Sequence, residues 1–177
     1  MVSVATFGFL LSFALSYSSI TVAGTAEEYK IETAFIYQFT NYIDWPELPL
    51  AQAAEAFVIT VFGETQALSE LEDLAKTKKV KTRQIKVYGI SEISQLKKSN
   101  IIFITSRETS ILQKIAEKAK GSHALLISHT PGFAKKGAMI NFYNEEGRLR
   151  FELNQNSLKD EKLNVSSQLL KLAKLVE

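Results

Sequence analysis

Apolar residues along this chain recur in two rhythms that take turns. Ile31, Phe35, Phe39 and Tyr42 stand four, four and three apart, the spacing of one helix face, and Trp45-Pro46 marks the end because proline disfavours helical geometry in the residue before it. Phe57 to Phe62 is a short β-branched run that stops at Gly63, which predicts a buried strand; residues 66–76 follow as a helix with Leu68, Leu71 and Leu74 toward the sheet. The pattern then repeats. Residues 85–88 read as a strand before Gly89, residues 101–105 as a buried strand, Ile111, Leu112, Ile115 and Ala116 as a helix face, and residues 124–128 as another strand. Such alternation predicts βαβ units and a mainly parallel sheet with helices on both sides.

Past His129-Thr130-Pro131-Gly132, which reads as a turn, the rhythm changes to two strands joined by Asn144-Glu145-Glu146-Gly147. In the second strand Leu149, Phe151 and Leu153 alternate with Arg148, Arg150, Glu152 and Asn154, so one face is buried and the other polar. Val165, Leu169, Leu172 and Val176 then predict a final helix packed back onto the sheet. The expected fold class is α/β: a Rossmann-like, mainly parallel sheet flanked by helices, without the dinucleotide fingerprint, closed by a C-terminal β-hairpin and a last helix.

The chain begins differently. No charged residue occurs from Val2 to Gly24, residues 7–15 are strongly apolar, and Ala23, Gly24 and Ala26 offer cleavage points before Glu27, Glu28 and Lys30. We read residues 1–24 as an export signal cut between 23 and 26, leaving residues 27–177 as one domain with no stable membrane anchor. A retained anchor is the competing reading, since the uncharged stretch approaches the roughly 20 residues that span a bilayer; its Ser and Thr content and the small residues at its end favour cleavage.

Charge and candidate chemistry narrow the function. With 21 basic and 19 acidic side chains, the net charge of +2 sets up no field that would gather phosphate backbones, so nucleic acid is not an expected partner. The absence of cysteine excludes disulfides, a thiol nucleophile and lipid attachment through cysteine. Two histidines, His123 and His129, are too few for a zinc site without further ligands, and no His-Glu-x-x-His pattern occurs, so no metal or cofactor is expected. No Gly-x-Ser-x-Gly elbow or phosphate loop is present, and catalysis is not expected. The basic run Lys76, Lys78, Lys79, Lys81 and Arg83 lacks interleaved aromatics and reads as a solvated loop.

Four blocks in fixed order resemble the YfiR-like family of exported bacterial proteins. They are Lys30 to Phe39 continuing to Tyr42-Ile43-Asp44-Trp45-Pro46; Gly137-Ala138-Met139-Ile140-Asn141-Phe142; Arg148 to Asn154; and Ser166-Ser167-Gln168-Leu169-Leu170-Lys171-Leu172-Ala173. The resemblance implies a periplasmic protein, dimeric when free, that binds the periplasmic part of an inner-membrane diguanylate cyclase or sensor kinase and holds it inactive. Arg148, Arg150, Glu152 and Asn154 are the preferred recognition strip, although a solvated outer face has the same pattern. Ser166 and Ser167 stand where the last helix should start, and fit either an N-cap or an anion or carboxylate site. Two other classes stay open: a small-molecule binding module with a cleft near Gly63, Thr105 and residues 128–131, at the C-terminal ends of the parallel strands, and an enzyme of unknown type.

Overall fold

A computed structural model of the chain describes residues 26–46, 55–63 and 65–177. The signal and cleavage positions expected at residues 1–24 lie outside the described residues. Helix α1 (Ala26–Phe39) opens the fold, and a turn leads to the short strand β1 (Ile43–Asp44). Then come β2 (Phe57–Phe62), α2 (Thr65–Thr77), β3 (Lys79–Val80), β4 (Arg83–Ile90), β5 (Ile101–Ile104), α3 (Thr109–Ala119) and β6 (Leu125–Ser128). The chain finishes with β7 (Ile140–Glu145), β8 (Arg148–Asn154), α4 (Gln155–Asp160), β9 (Asn164–Val165), α5 (Ser167–Leu172) and β10 (Lys174–Val176).

Eight strands form one sheet in the order β10-β8-β7-β6-β5-β2-β4-β3, a mixed, mostly parallel α/β arrangement. The pairs β4-β2, β2-β5, β5-β6, β6-β7 and β8-β10 are parallel; β7-β8 and β3-β4 are antiparallel. Because β2, β5 and β6 are flanked on both sides, their residues are apolar apart from the buried Thr60 and Ser128; Ile101 to Ile104 are all 1% exposed or less. Helices α1 and α2 pack together on one face. On the other, Ile102 borders Lys118 and Ala119 of α3. That placement follows from right-handed crossovers, since β2-α2-β4 and β5-α3-β6 run in opposite directions across the sheet.

Between β7 and β8 the ladder runs from Ile140↔Leu153 to Glu145↔Arg148, which leaves Glu146-Gly147 as a two-residue turn. Both turn residues have positive φ, 52° and 76°, and Asn144 Oδ1 accepts the Gly147 N–H at 2.9 Å. This backbone twist matches that of the flanking strands.

Three expectations need correcting. The buried stripe of α1 is Tyr29, Glu32, Thr33, Ile36 and Phe39, whereas Ile31 is 41% exposed. Polar residues can take the inner positions because each has a partner: Thr33 donates to the Lys30 carbonyl and Glu32 meets His129. The helix also stops at Phe39, before Trp45-Pro46, because residues 43–44 leave to pair with 164–165 as a separate two-stranded sheet. Finally, no long helix closes the chain. Val165 belongs to β9, α5 covers six residues, and Lys174, Leu175 and Val176 form a parallel edge strand on β8. The helical spacing of the four apolar residues is overridden because β8 offers open backbone donors and acceptors along its free edge, which a strand satisfies and a helix cannot.

Candidate functional site

Where β5 and β6 end, the sheet opens into a cleft of about 370 Å³ roofed by the N-terminal half of α1. Glu28 and Glu32 reach it from α1, Arg107 and His129 from the strand ends, and Phe142, Tyr143 and Leu149 from β7 and β8. Ligands of open α/β sheets bind outside the carboxyl ends of the strands, which is this position. At the end of β2, Gly63 lets the end of β5 come close: a Cβ there would stand 2.5 Å from Thr105 Oγ1, which donates to the Phe62 carbonyl at 2.9 Å.

At the centre of the roof is an ion pair. Glu32 has a side chain 2% exposed, one turn along α1 from Glu28, and it accepts from His129 Nδ1 at 3.1 and 3.2 Å. The other imidazole nitrogen, Nε2, lies 3.4 Å from the Thr105 carbonyl oxygen. His129 is also flanked by rings, Tyr29 at 5.6 Å and Phe103 at 5.7 Å between centroids. Burial alone would lower the His129 pKa; the hydrogen bond and charge of Glu32, joined by the Thr105 carbonyl and Glu28, outweigh it and raise the pKa above the ordinary 6.5. Behind the pair, Phe35, Phe39, Phe103, Phe142 and Phe151 form a continuous aromatic cluster that seats α1, with Phe39 on Phe151 at 5.1 Å and Phe39 stacked on Phe142 at 5.9 Å.

The recognition strip read from the sequence divides between surface and interior. Arg148 is exposed; Arg150 pairs with Glu145 at 3.6 Å; Glu152 pairs with Lys174 at 3.5 Å. Asn154 is 6% exposed and its amide is used within the fold: Oδ1 accepts the Ser157 N–H as the N-cap of α4, and Nδ2 donates to the Ala134 carbonyl at 2.8 Å. Lys174 also sits 5.3 Å from the Tyr143 ring, so the outer face of β7, β8 and β10 forms one network that includes two residues the sequence reading did not single out. Across this face a polar row, Ser128↔Asn141↔Glu152↔Lys174, runs in register over four strands from buried to exposed. Within it, Asn141 Oδ1 is buried and without a hydrogen-bond partner among the described residues.

Ser166 is the N-cap of α5, its Oγ accepting the Leu169 N–H at 3.3 Å, and Ser167 is exposed on the first turn. The Ser166 N–H bonds the Tyr42 carbonyl, which fastens this pair on the α1 side of the sheet, while the strip side chains point to the opposite face from Phe142 and Phe151. The two groups are therefore not brought together. As for serine and histidine chemistry, Ser122 Oγ donates to the Ala119 carbonyl and Ser128 Oγ accepts from the Thr130 N–H, while His129 is taken by Glu32 and Thr105. Among the described residues, no group of three or more His, Asp or Glu side chains is placed to hold a metal ion.

Two acids that hold the architecture escaped the sequence reading. Glu32 was detectable in principle, because a glutamate three residues after Tyr29 and four before Ile36 shares their helix face and, once buried, must find a partner. Glu161, 7% exposed, accepts the N–H groups of Gly121 and His123 at 2.8 Å each, and its own carbonyl accepts from His123 Nδ1 at 2.8 Å. No local pattern signals that contact, since its partners are about forty residues away.

No curated protein matches the chain at a significant level. The family model described as YfiR/HmsC-like matches residues 29–174, a span that runs from the buried Tyr29 of α1 to the start of β10 and includes the aromatic cluster, the polar face and every described cleft residue but Glu28. This chain belongs to the YfiR/HmsC-like family.

Proposed function

We propose that this protein is a periplasmic regulatory binding protein, built on a Rossmann-like scaffold in residues 27–177, that binds the periplasmic sensor domain of an inner-membrane diguanylate cyclase and holds the enzyme inactive. Family membership over most of the chain carries this reading, because it suggests a regulator of cyclic-di-GMP signalling in the periplasm. Among the described residues no helix is long and apolar enough to cross a membrane, which fits a chain that meets its partner at the membrane surface.

The contact face we assign is the outer side of β8, Arg148, Arg150 and Glu152, with Asn154 fixing the end of the strip through Ala134 and Ser157, and with Ser166 and Ser167, on the α1 side, as a separate contact. The Arg150–Glu145 pair is exposed enough to exchange partners, and exposed pairs hold each other by only about 0–1 kcal/mol. An inhibitor of this kind works only through differential affinity. To turn a cyclase from 99% active to 1% active it must bind the inactive state about 10⁴-fold more tightly.

The test is cyclic-di-GMP synthesis by a full-length cyclase of the same host, reconstituted in vesicles, with and without the mature protein. Synthesis should fall with wild type and recover with Arg150→Glu; equal synthesis in all three conditions overturns the reading. A second reading, a periplasmic small-molecule binding module, is favoured by the cleft at the strand ends. A small molecule co-purifying from the host periplasm and lost on Arg107→Ala would select it.

A further inference from the structure

Both ring nitrogens of His129 face oxygen acceptors. Nδ1 lies against the Glu32 carboxylate and Nε2 lies 3.4 Å from the Thr105 carbonyl, so only the doubly protonated imidazolium can donate to both. A neutral ring must leave one of these contacts as a lone pair against a lone pair. The site is also dry enough for this to matter, with side-chain exposures of 16% for His129 and 2% for Glu32. The contact joins elements far apart in the chain, α1 to the ends of β5 and β6, across 97 residues.

We propose that His129 is a proton-operated clasp: the imidazolium fastens the N-terminal half of α1 over the cleft, and loss of its proton loosens that half while the Phe35–Phe39 half stays seated. The asymmetry comes from the packing. The C-terminal half of α1 is set in the aromatic cluster, whereas the N-terminal half contributes the buried Tyr29 and Glu32 near the clasp. Glu28 and Glu32 are also walls of the cleft, so releasing the clasp reshapes that opening.

The charges around His129 agree on direction. From α1, Glu32 in contact and Glu28 beyond it favour the proton; from the loop after β5, Arg107 on the cleft wall opposes it; the Tyr29 and Phe103 rings pack beside the imidazole; and Tyr143 of β7 lines the same cleft. Two acids against one base leave the protonated state favoured, in accord with the raised pKa. A group whose folded pKa lies above its unfolded value contributes stability that is complete below the unfolded value, about 6.5, and that is lost as pH rises through the folded value. The clasp therefore closes in acid and loosens toward alkaline pH, a range an exported protein experiences without cytoplasmic buffering.

The experiment is amide hydrogen exchange of the mature wild-type protein at a series of values from about pH 5.5 to about 8.5, expressed as protection factors so that the intrinsic pH dependence is removed. Amides of residues 30–36 are compared with those of β5 as an internal reference. The ratio should be constant below about pH 6.5 and then fall by up to about tenfold per unit above it. His123→Gln, which removes the only other imidazole, should keep this profile; His129→Gln should give a flat one. A flat ratio in wild type, or a slope that survives in His129→Gln, overturns the proposal. The reading needs no cyclase, so its failure and that of the proposed function are separable.

Discussion

Replacing Glu161 by alanine should cost about 2–4 kcal/mol of folding stability, and the magnitude follows from three groups. The carboxylate accepts the N–H of Gly121 with one oxygen and that of His123 with the other, each at 2.8 Å. Hydrogen bonds to an ionised acceptor contribute about 1.5–3 kcal/mol each, so the two set an upper bound of about 6 kcal/mol. Two effects reduce it. Gly121 is exposed, so its N–H regains water when the carboxylate is removed. The carboxylate also sits just past the C-terminus of α3, where the helix end is partly negative, an opposing effect of about 0.3–1 kcal/mol. What remains is dominated by His123, whose backbone is held at φ 59°, a left-handed geometry that costs a non-glycine residue about 1–2 kcal/mol and that this contact offsets. The assay is urea unfolding of the mature protein. With a slope of about 2 kcal/mol/M, the midpoint should drop by about 1–2 M, and Glu161→Gln, which retains one acceptor, should fall between. A midpoint for Glu161→Ala within about 0.3 M of wild type would show that the clasp on the loop before β6 is not a source of stability.

Other outcomes follow from the same structure. Gly63→Ala, which combines φ +109° with a Cβ 2.5 Å from Thr105 Oγ1, should lower stability by about 2–4 kcal/mol in thermal unfolding. Asn154→Ala should cost about 1–3 kcal/mol in urea unfolding, through loss of the α4 cap and of the bond to Ala134, whereas Arg148→Glu should stay within about 0.5 kcal/mol of wild type; equal effects would remove the division between interior and contact residues on β8. Phe142→Ala should cost about 3–5 kcal/mol by opening the aromatic cluster, read as a lower urea midpoint. Glu146→Asn should raise stability by about 0.5 kcal/mol, since asparagine adopts the positive φ of that turn position more readily than glutamate.

Most of the sheet and its buried faces could be read from local residue patterns. The runs at β2, β5 and β6 are apolar at all but Thr60 and Ser128 because parallel strands covered on both sides exclude water along their length, and that demand is written locally. The alternation of Leu149, Phe151 and Leu153 with charged neighbours likewise set which face of β8 is inside, because a strand's side chains change sides at every residue. Other features depend on which residue stands opposite and appear only once the chain is folded. Ile31 lost its expected place to Glu32 because His129, 97 residues away, supplies a charged partner for the buried position. Val165 and Val176 keep helical spacing yet pair as strands, because Ile43 and the free edge of β8 offer backbone groups that must be satisfied. Asn154 reads as one more polar residue on an outer face, and becomes interior because the loop carrying Ala134 passes over it. Local periodicity records how a residue meets its own element, whereas burial of a charge, an edge pairing or a cleft needs two distant segments to meet, and no window of the sequence holds both.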